Sequence, residues 1–167
     1  MVKITKIVWA TAAGLALSGS LFAAAPTVTT TDFVDKLDSP WDMAFMSDGT
    51  MFFTEKCMGL SVQRPTGAIN TLHGVGTTAG YSSSSVDLFC DGQAGMMGVA
   101  IDSQFASNRF VCAYSNSNLG GKLVNRVMRL KLNDAMTGVS DRTDIVADIG
   151  YKPYATKHPF GGPGTHM

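Results

Sequence analysis

Cys90 to Ala113, CDGQAGMMGVAIDSQFASNRFVCA, sets two short apolar runs on either side of a polar segment. Met97 to Ile101 is apolar and free of proline, Asp102 to Arg109 is polar, and Phe110 to Tyr114 is apolar again. This is the pattern of two strands joined by a turn. A Gly-rich turn ahead of the first run delivers one polar side chain, Gln93, to its start.

The same hairpin stands earlier in the chain. PWDMAFMSDGTMFFTEK, Pro40 to Lys56, reads as a strand (Trp41 to Met46), a tight turn built on Asp48 and Gly49, and a second strand (Met51 to Glu55). Leu60 to Arg64 and Ala68 to Leu72 follow as third and fourth strands around the turn Pro65 to Gly67. The order then repeats with Met97 to Ile101, Phe110 to Tyr114, Arg126 to Leu132 and Arg142 to Ile149, the last two after longer turns at Ser115 to Lys122 and Asn133 to Asp141. Ala44 and Ala100 are equivalent points about 56 residues apart, a period at which repeats mean propeller blades or arrays. The fold class is therefore all-β, with about two four-stranded blades of a β-propeller. Two blades leave two open faces and no closure, so the chain reads as the opening part of a larger ring. A short segment around Phe33 to Leu37 is a candidate sheet edge.

The first residues stand apart from the fold. Lys3 and Lys6 precede an apolar run from Ile7 to Phe22 that ends in Ala23, Ala24 and Ala25, the three parts of a secretory signal peptide over residues 1–25. An uncleaved membrane anchor is the alternative, but the run is short for a span of roughly twenty residues. Residues 26–167 then form the incomplete propeller domain, exported to the periplasm or secreted, with no membrane span once the signal is removed. The whole chain has a formal net charge of zero and 16% charged residues, so it carries no basic field to hold nucleic acid. A small neutral partner fits better.

Export changes the reading of the three cysteines. Cys57 and Cys90 lie in Gly-flanked loops beside strand runs, which suggests a disulfide, whereas Cys112 lies inside an apolar run as a buried packing thiol. Three free thiols are the alternative; no metal-binding spacing competes, and no metal site is expected in this chain. HGVGTTAG lacks the spacing of a nucleotide loop, and Ser82 to Ser85 reads as a linker.

Gln93 can both donate and accept, and Gly92 and Ala94 let a hydroxyl-bearing ligand approach; a glutamine tying down its own turn has the same sequence. His158 and His166 share one Gly-rich loop, and an imidazole can take the proton that alcohol oxidation releases, although solvated loop histidines look no different.

PWDMAFMSDGTMFFTEK, DGQAGMMGVAIDSQFASNRFVCAYS and the terminal GPGTH together resemble the N-terminal part of the soluble quinoprotein glucose dehydrogenase and glucose/sorbosone dehydrogenase family. The resemblance implies an exported six-bladed propeller that uses pyrroloquinoline quinone (PQQ) and calcium to oxidise an aldose at its anomeric carbon, with a sugar and an electron acceptor as partners. It implies that Gln93 contacts the sugar and that His166 is the catalytic base, a histidine the family places just before a GGR-like segment. Thr165 falls where some members carry a sugar-holding aspartate. The cofactor-binding residues and calcium ligands are expected beyond Met167, so the chain alone is expected to be inactive. A non-catalytic propeller segment that binds carbohydrate or protein is the alternative.

Intact mass before and after reduction and alkylation tests the cysteine pairing. One alkylated thiol in the native oxidised protein and three after reduction are expected; three in the native state would rule out the bridge.

Overall fold

The computed structural model describes residues 25–75 and 87–151. The chain divides into two units between Phe33 and Val34, and residues 25–33 carry neither helix nor strand. The second unit contains two four-stranded antiparallel sheets in which each strand pairs with its neighbour in sequence. One sheet comprises β1 (Pro40–Phe45), β2 (Met51–Glu55), β3 (Gly59–Gln63) and β4 (Ile69–Gly74). The other comprises β5 (Met96–Ile101), β6 (Phe110–Ser117), β7 (Val124–Leu132) and β8 (Val139–Gly150). This is the all-β arrangement of two propeller blades expected from the repeat.

Several expectations need correction. No strand forms over Phe33 to Leu37: Lys36 and Ser39 adopt φ of 60° and 53°, which breaks an extended run just before β1. Strand ends shift by a few residues, except in β2. The turn Ser115 to Lys122 is shorter than read, because β6 continues to Ser117 and β7 begins at Val124, with Asn116 paired to Asn125 across the hairpin. Cys112 is half-buried rather than fully packed. Strand alternation turns its neighbours Val111 and Ala113 into the core and Cys112 with Tyr114 to the other face. Burial, then the charge of Asp102, raises the Cys112 thiol above its ordinary value. The Ser82 to Ser85 run and, except for Ala25, the proposed signal peptide lie outside the described residues.

Period-two alternation places the core. In β7, Met128, Leu130 and Leu132 are buried while Arg129 and Lys131 face outward. These side chains join Phe52, Leu60, Val62 and Leu72 of the first sheet in one apolar cluster that spans both sheets. A single blade has no such second face to pack on, so the blades stabilise each other. β1 leaves Trp41, Met43 and Phe45 more than half exposed.

The polar segment Asp102 to Arg109, read as a turn, contains one helical turn, α1 (Phe105–Asn108). The Asp102 carboxylate accepts hydrogen bonds from the Gln104 backbone at 2.8 Å and the Asn108 amide at 2.9 Å, and these bonds hold its carboxyl below the usual aspartate value. Arg109 ends the turn in the left-handed region, with φ 59°. The result turns Phe105 inward, 3% exposed, where its ring meets Phe52 edge-on at 5.6 Å. The FASNRF sequence thus supplies a plug between the sheets, and burying a phenylalanine contributes about 1.5–3 kcal/mol.

β5 is an edge strand, and the first sheet satisfies its free backbone groups. The buried Thr54 hydroxyl donates to the Met97 carbonyl at 2.7 Å, and the Asp42 carboxylate accepts from the Val99 amide at 2.9 Å. At the far side of the second sheet, Asp144 accepts from Arg126 and from Arg142, each at 2.8 Å, and Arg142 also binds Asp87. Burial alone would raise the Asp144 carboxyl, but the bonds to Arg142 and Arg126 outweigh it and leave the carboxyl lowered.

Two measurements follow from these contacts. Thr54→Val is expected to cost about 1–2 kcal/mol in urea unfolding by leaving the Met97 carbonyl unpaired, and an unchanged midpoint would contradict a stabilising role for that bond. Because its folded-state value is lowered, Asp144 stabilises the fold above the unfolded aspartate value, and this contribution is lost as pH falls through the folded one. The stability gap between wild type and Asp144→Asn should therefore be fully open at about pH 6 and narrow progressively as pH falls below about 4 toward the lowered folded value; a gap that does not narrow over that fall would contradict the pairing.

Candidate functional site

Gln93 sits at the crest of a turn fixed at both ends. The Ala94 amide closes the turn on the Asp91 carbonyl at 2.8 Å, and Gly92 takes φ 54°, which glycine adopts without steric cost. Just before it, Cys90 is bonded to Cys57, with Cα atoms 5.4 Å apart, so the β2–β3 turn of the first sheet is covalently tied to this loop. Just after it, the Met96 amide donates to the Lys56 carbonyl at 2.8 Å, and the Lys56 ammonium donates to the Gly92 carbonyl. A Cβ at Gly95 would lie 2.3 Å from the Lys56 carbonyl oxygen, so only glycine permits this approach.

Gln93 itself is half-buried, and among the described residues nothing engages its side-chain amide. A donor and an acceptor on one rigid turn suit a hydroxyl-bearing ligand. His158, Thr165 and His166 lie outside the described residues, so the structure does not bring them together with Gln93. Tyr151, the last residue described before that segment, packs edge-on against Phe89 at 6.4 Å. Burial, and then the charge of Asp91, raises its phenol. The chain therefore reaches the Gln93 loop just before the histidine-bearing segment begins.

A separate shallow cavity of about 230 Å³ is lined by Asp42, Gly98, Val99, Ala100, Cys112, Ala113, Tyr114 and Val127. Gln93 is not part of it, and its mostly apolar wall is a poor match for a polyhydroxyl ligand. Among the described residues no three His, Cys, Asp or Glu side chains gather where they could hold a metal ion. Each of the five arginines is already engaged: Arg64 with the Ala135 carbonyl, Arg109 with Asp134, Arg126 with Asp144, Arg129 over the Phe110 ring, and Arg142 with Asp87 and Asp144. Among the described residues there is thus no gathered set for calcium and no cluster of unengaged arginines for an anionic quinone.

Asn116 and Asn125, which hold Gly95 in place, were missed in the sequence. Their signal was their equal distance from the ends of one hairpin loop, residues 118–123. Thr54 and Asp42 left no comparable signal, since their partners are backbone groups of a distant strand.

Two packed four-stranded antiparallel sheets, each with its strands in sequence order, define part of a β-propeller. The family described as Glucose / Sorbosone dehydrogenase matches residues 37–162, and the chain belongs to it. The aldose sugar dehydrogenase YliI of Escherichia coli K12 is 29% identical over 150 residues, covering 89% of this chain and 38% of that protein. An uncharacterized protein of Synechocystis sp., slr1608, is 31% identical over 101 residues, covering 60% of this chain and 24% of that one. The chain thus spans well under half the length of these curated relatives. Among solved structures, a glucose dehydrogenase superposes with a TM-score of 0.54 at 22% identity, covering 66% of this chain and 32% of that one. The apo-form soluble aldose sugar dehydrogenase of Escherichia coli gives 0.53 at 22%, covering 66% and 30%. At these identities the superpositions speak to fold alone.

Proposed function

We propose that this chain supplies sugar-facing residues of an exported dehydrogenase that oxidises an aldose at its anomeric carbon. Family membership supports the reaction class, and the observation that carries the reading is the rigid turn holding an uncommitted Gln93 amide beside the start of the histidine-bearing segment. Gln93 hydrogen-bonds a sugar hydroxyl through its amide. In this reading His166 takes the anomeric hydroxyl proton onto an imidazole nitrogen, and Thr165, its neighbour in sequence, is a further sugar contact. PQQ, with calcium, is the two-electron acceptor that the family resemblance implies; its chemistry lies outside what the described residues supply, and the isolated chain is inactive in this reading. The Cys57–Cys90 bond agrees with an oxidising compartment, the periplasm or the exterior. Among the described residues no helix is long and apolar enough to cross a membrane.

Titrating the isotopically labelled chain with a panel of aldohexoses, read by amide NMR, tests the sugar contact. Saturable shifts of the Gln93 side-chain amide are expected, with affinity about tenfold weaker in Gln93→Ala. Aldose binding that leaves Gln93 unmoved, or no binding at all, would count against the reading.

A further inference from the structure

We infer that Asn116 is the positioning residue for the Gln93 turn, and that it acts on the sugar through that turn without touching it; the inference rests on the reading of Gln93 as a sugar contact. Asn116 is fully buried at the end of β6. Its backbone carbonyl accepts from the Phe89 amide at 3.1 Å, and its backbone amide donates to the Gly95 carbonyl at 3.0 Å. Its side-chain Oδ1 accepts from the Gly95 amide at 2.9 Å. One residue therefore grips the chain at Phe89 and at Gly95, and everything between, including Gln93, is a closed loop.

Gly95 lies where a backbone–backbone approach to Lys56 excludes any side chain, so the loop cannot anchor itself there by packing. The Asn116 amide takes that role, imitating the next rung of a ladder for a residue just outside β5. The side chain is itself oriented. Its Nδ2 donates to Asn125 Oδ1 on the facing strand, and Asn125 Nδ2 donates to the Gly150 carbonyl at 3.1 Å. With both ends of the Asn125 amide committed, the Asn116 amide has one orientation, and that orientation turns its oxygen to Gly95. The relay runs from the last residue of β8, through β7 and β6, to the turn that presents Gln93. A glutamine has three rotatable side-chain bonds, so fixing its backbone limits the positions its amide can search before binding.

The test compares Asn116→Ala, Gln93→Ala and the double variant with Thr54→Val, a control that breaks an equally buried side-chain to backbone bond to strand β5, outside the Phe89 to Gly95 loop. Gly95 amide exchange is expected to rise about tenfold in Asn116→Ala while the mid-β6 amide of Ala113 is unchanged. Aldose affinity, read by NMR titration, is expected to fall toward that of Gln93→Ala, with no further loss in the double variant and none in Thr54→Val. Wild-type affinity in Asn116→Ala, an equal loss in Thr54→Val, or losses that add in the double variant would each overturn the inference. If Gln93→Ala binds as wild type does, the sugar-contact reading fails, and the inference with it. Should Asn116→Ala not fold, Asn125→Ala frees the Asn116 amide while retaining it, and the same comparisons apply with smaller shifts; no rise in Gly95 exchange there would overturn the relay.

Discussion

The seam between the two sheets is the constraint on which the rest of the structure depends. A four-stranded antiparallel blade buries one face only against something else, and here each sheet is the other's partner, with Phe52, Leu60 and Leu72 meeting Met96, Val111 and Met128 in one cluster. Phe105 closes this seam from α1, with its ring edge-on to Phe52. Polar groups finish the contact where apolar ones cannot. Met97 and Val99 lie on an open strand edge, and the Thr54 hydroxyl and Asp42 carboxylate satisfy them from the opposing sheet. The second blade is thus placed on the first by directed bonds as well as by apolar area.

The candidate site inherits its geometry from that seam. The loop from Phe89 to Gly95 belongs to the second blade by sequence, yet Cys57 and Lys56 of the first blade hold it as firmly as Asn116 of the second. A turn anchored in both blades cannot move with either alone. Binding to such a turn forfeits little conformational freedom, which favours a ligand recognised through a few hydrogen bonds. The shallow apolar cavity beside Cys112 and Tyr114 offers no comparable polar framework.

Much of the fold was legible because its signals are local. Alternation in Arg126 to Leu132, the Asp48–Gly49 turn and the recurrence of one hairpin named the strands and their order. The departures come from tertiary contacts that leave no local trace. Phe105 looked like one apolar residue in a polar turn until Phe52, distant in sequence, gave it a partner. Asn116 looked like loop, because its value lies in pairing with Asn125 and in bonding to Gly95. Cys112 was assigned to the core by the hydrophobicity of its run, and the strand period, which puts Val111 and Ala113 inside, turns it to the other face. In the site, Gln93 was legible from its turn and the family resemblance. Apart from Cys57, the groups that make its turn rigid were not, since Lys56 and Asn116 lie on other strands or turns.

The most direct measurement of the central claim is a nuclear Overhauser experiment on the aromatic rings of Phe52 and Phe105, which belong to different blades and stand 5.6 Å apart between centroids. Cross-peaks between the two rings, assigned by their disappearance in Phe52→Leu and in Phe105→Leu, are expected if the sheets share one core. Two folded sheets whose Phe52 and Phe105 protons show contacts only within their own blade would contradict it.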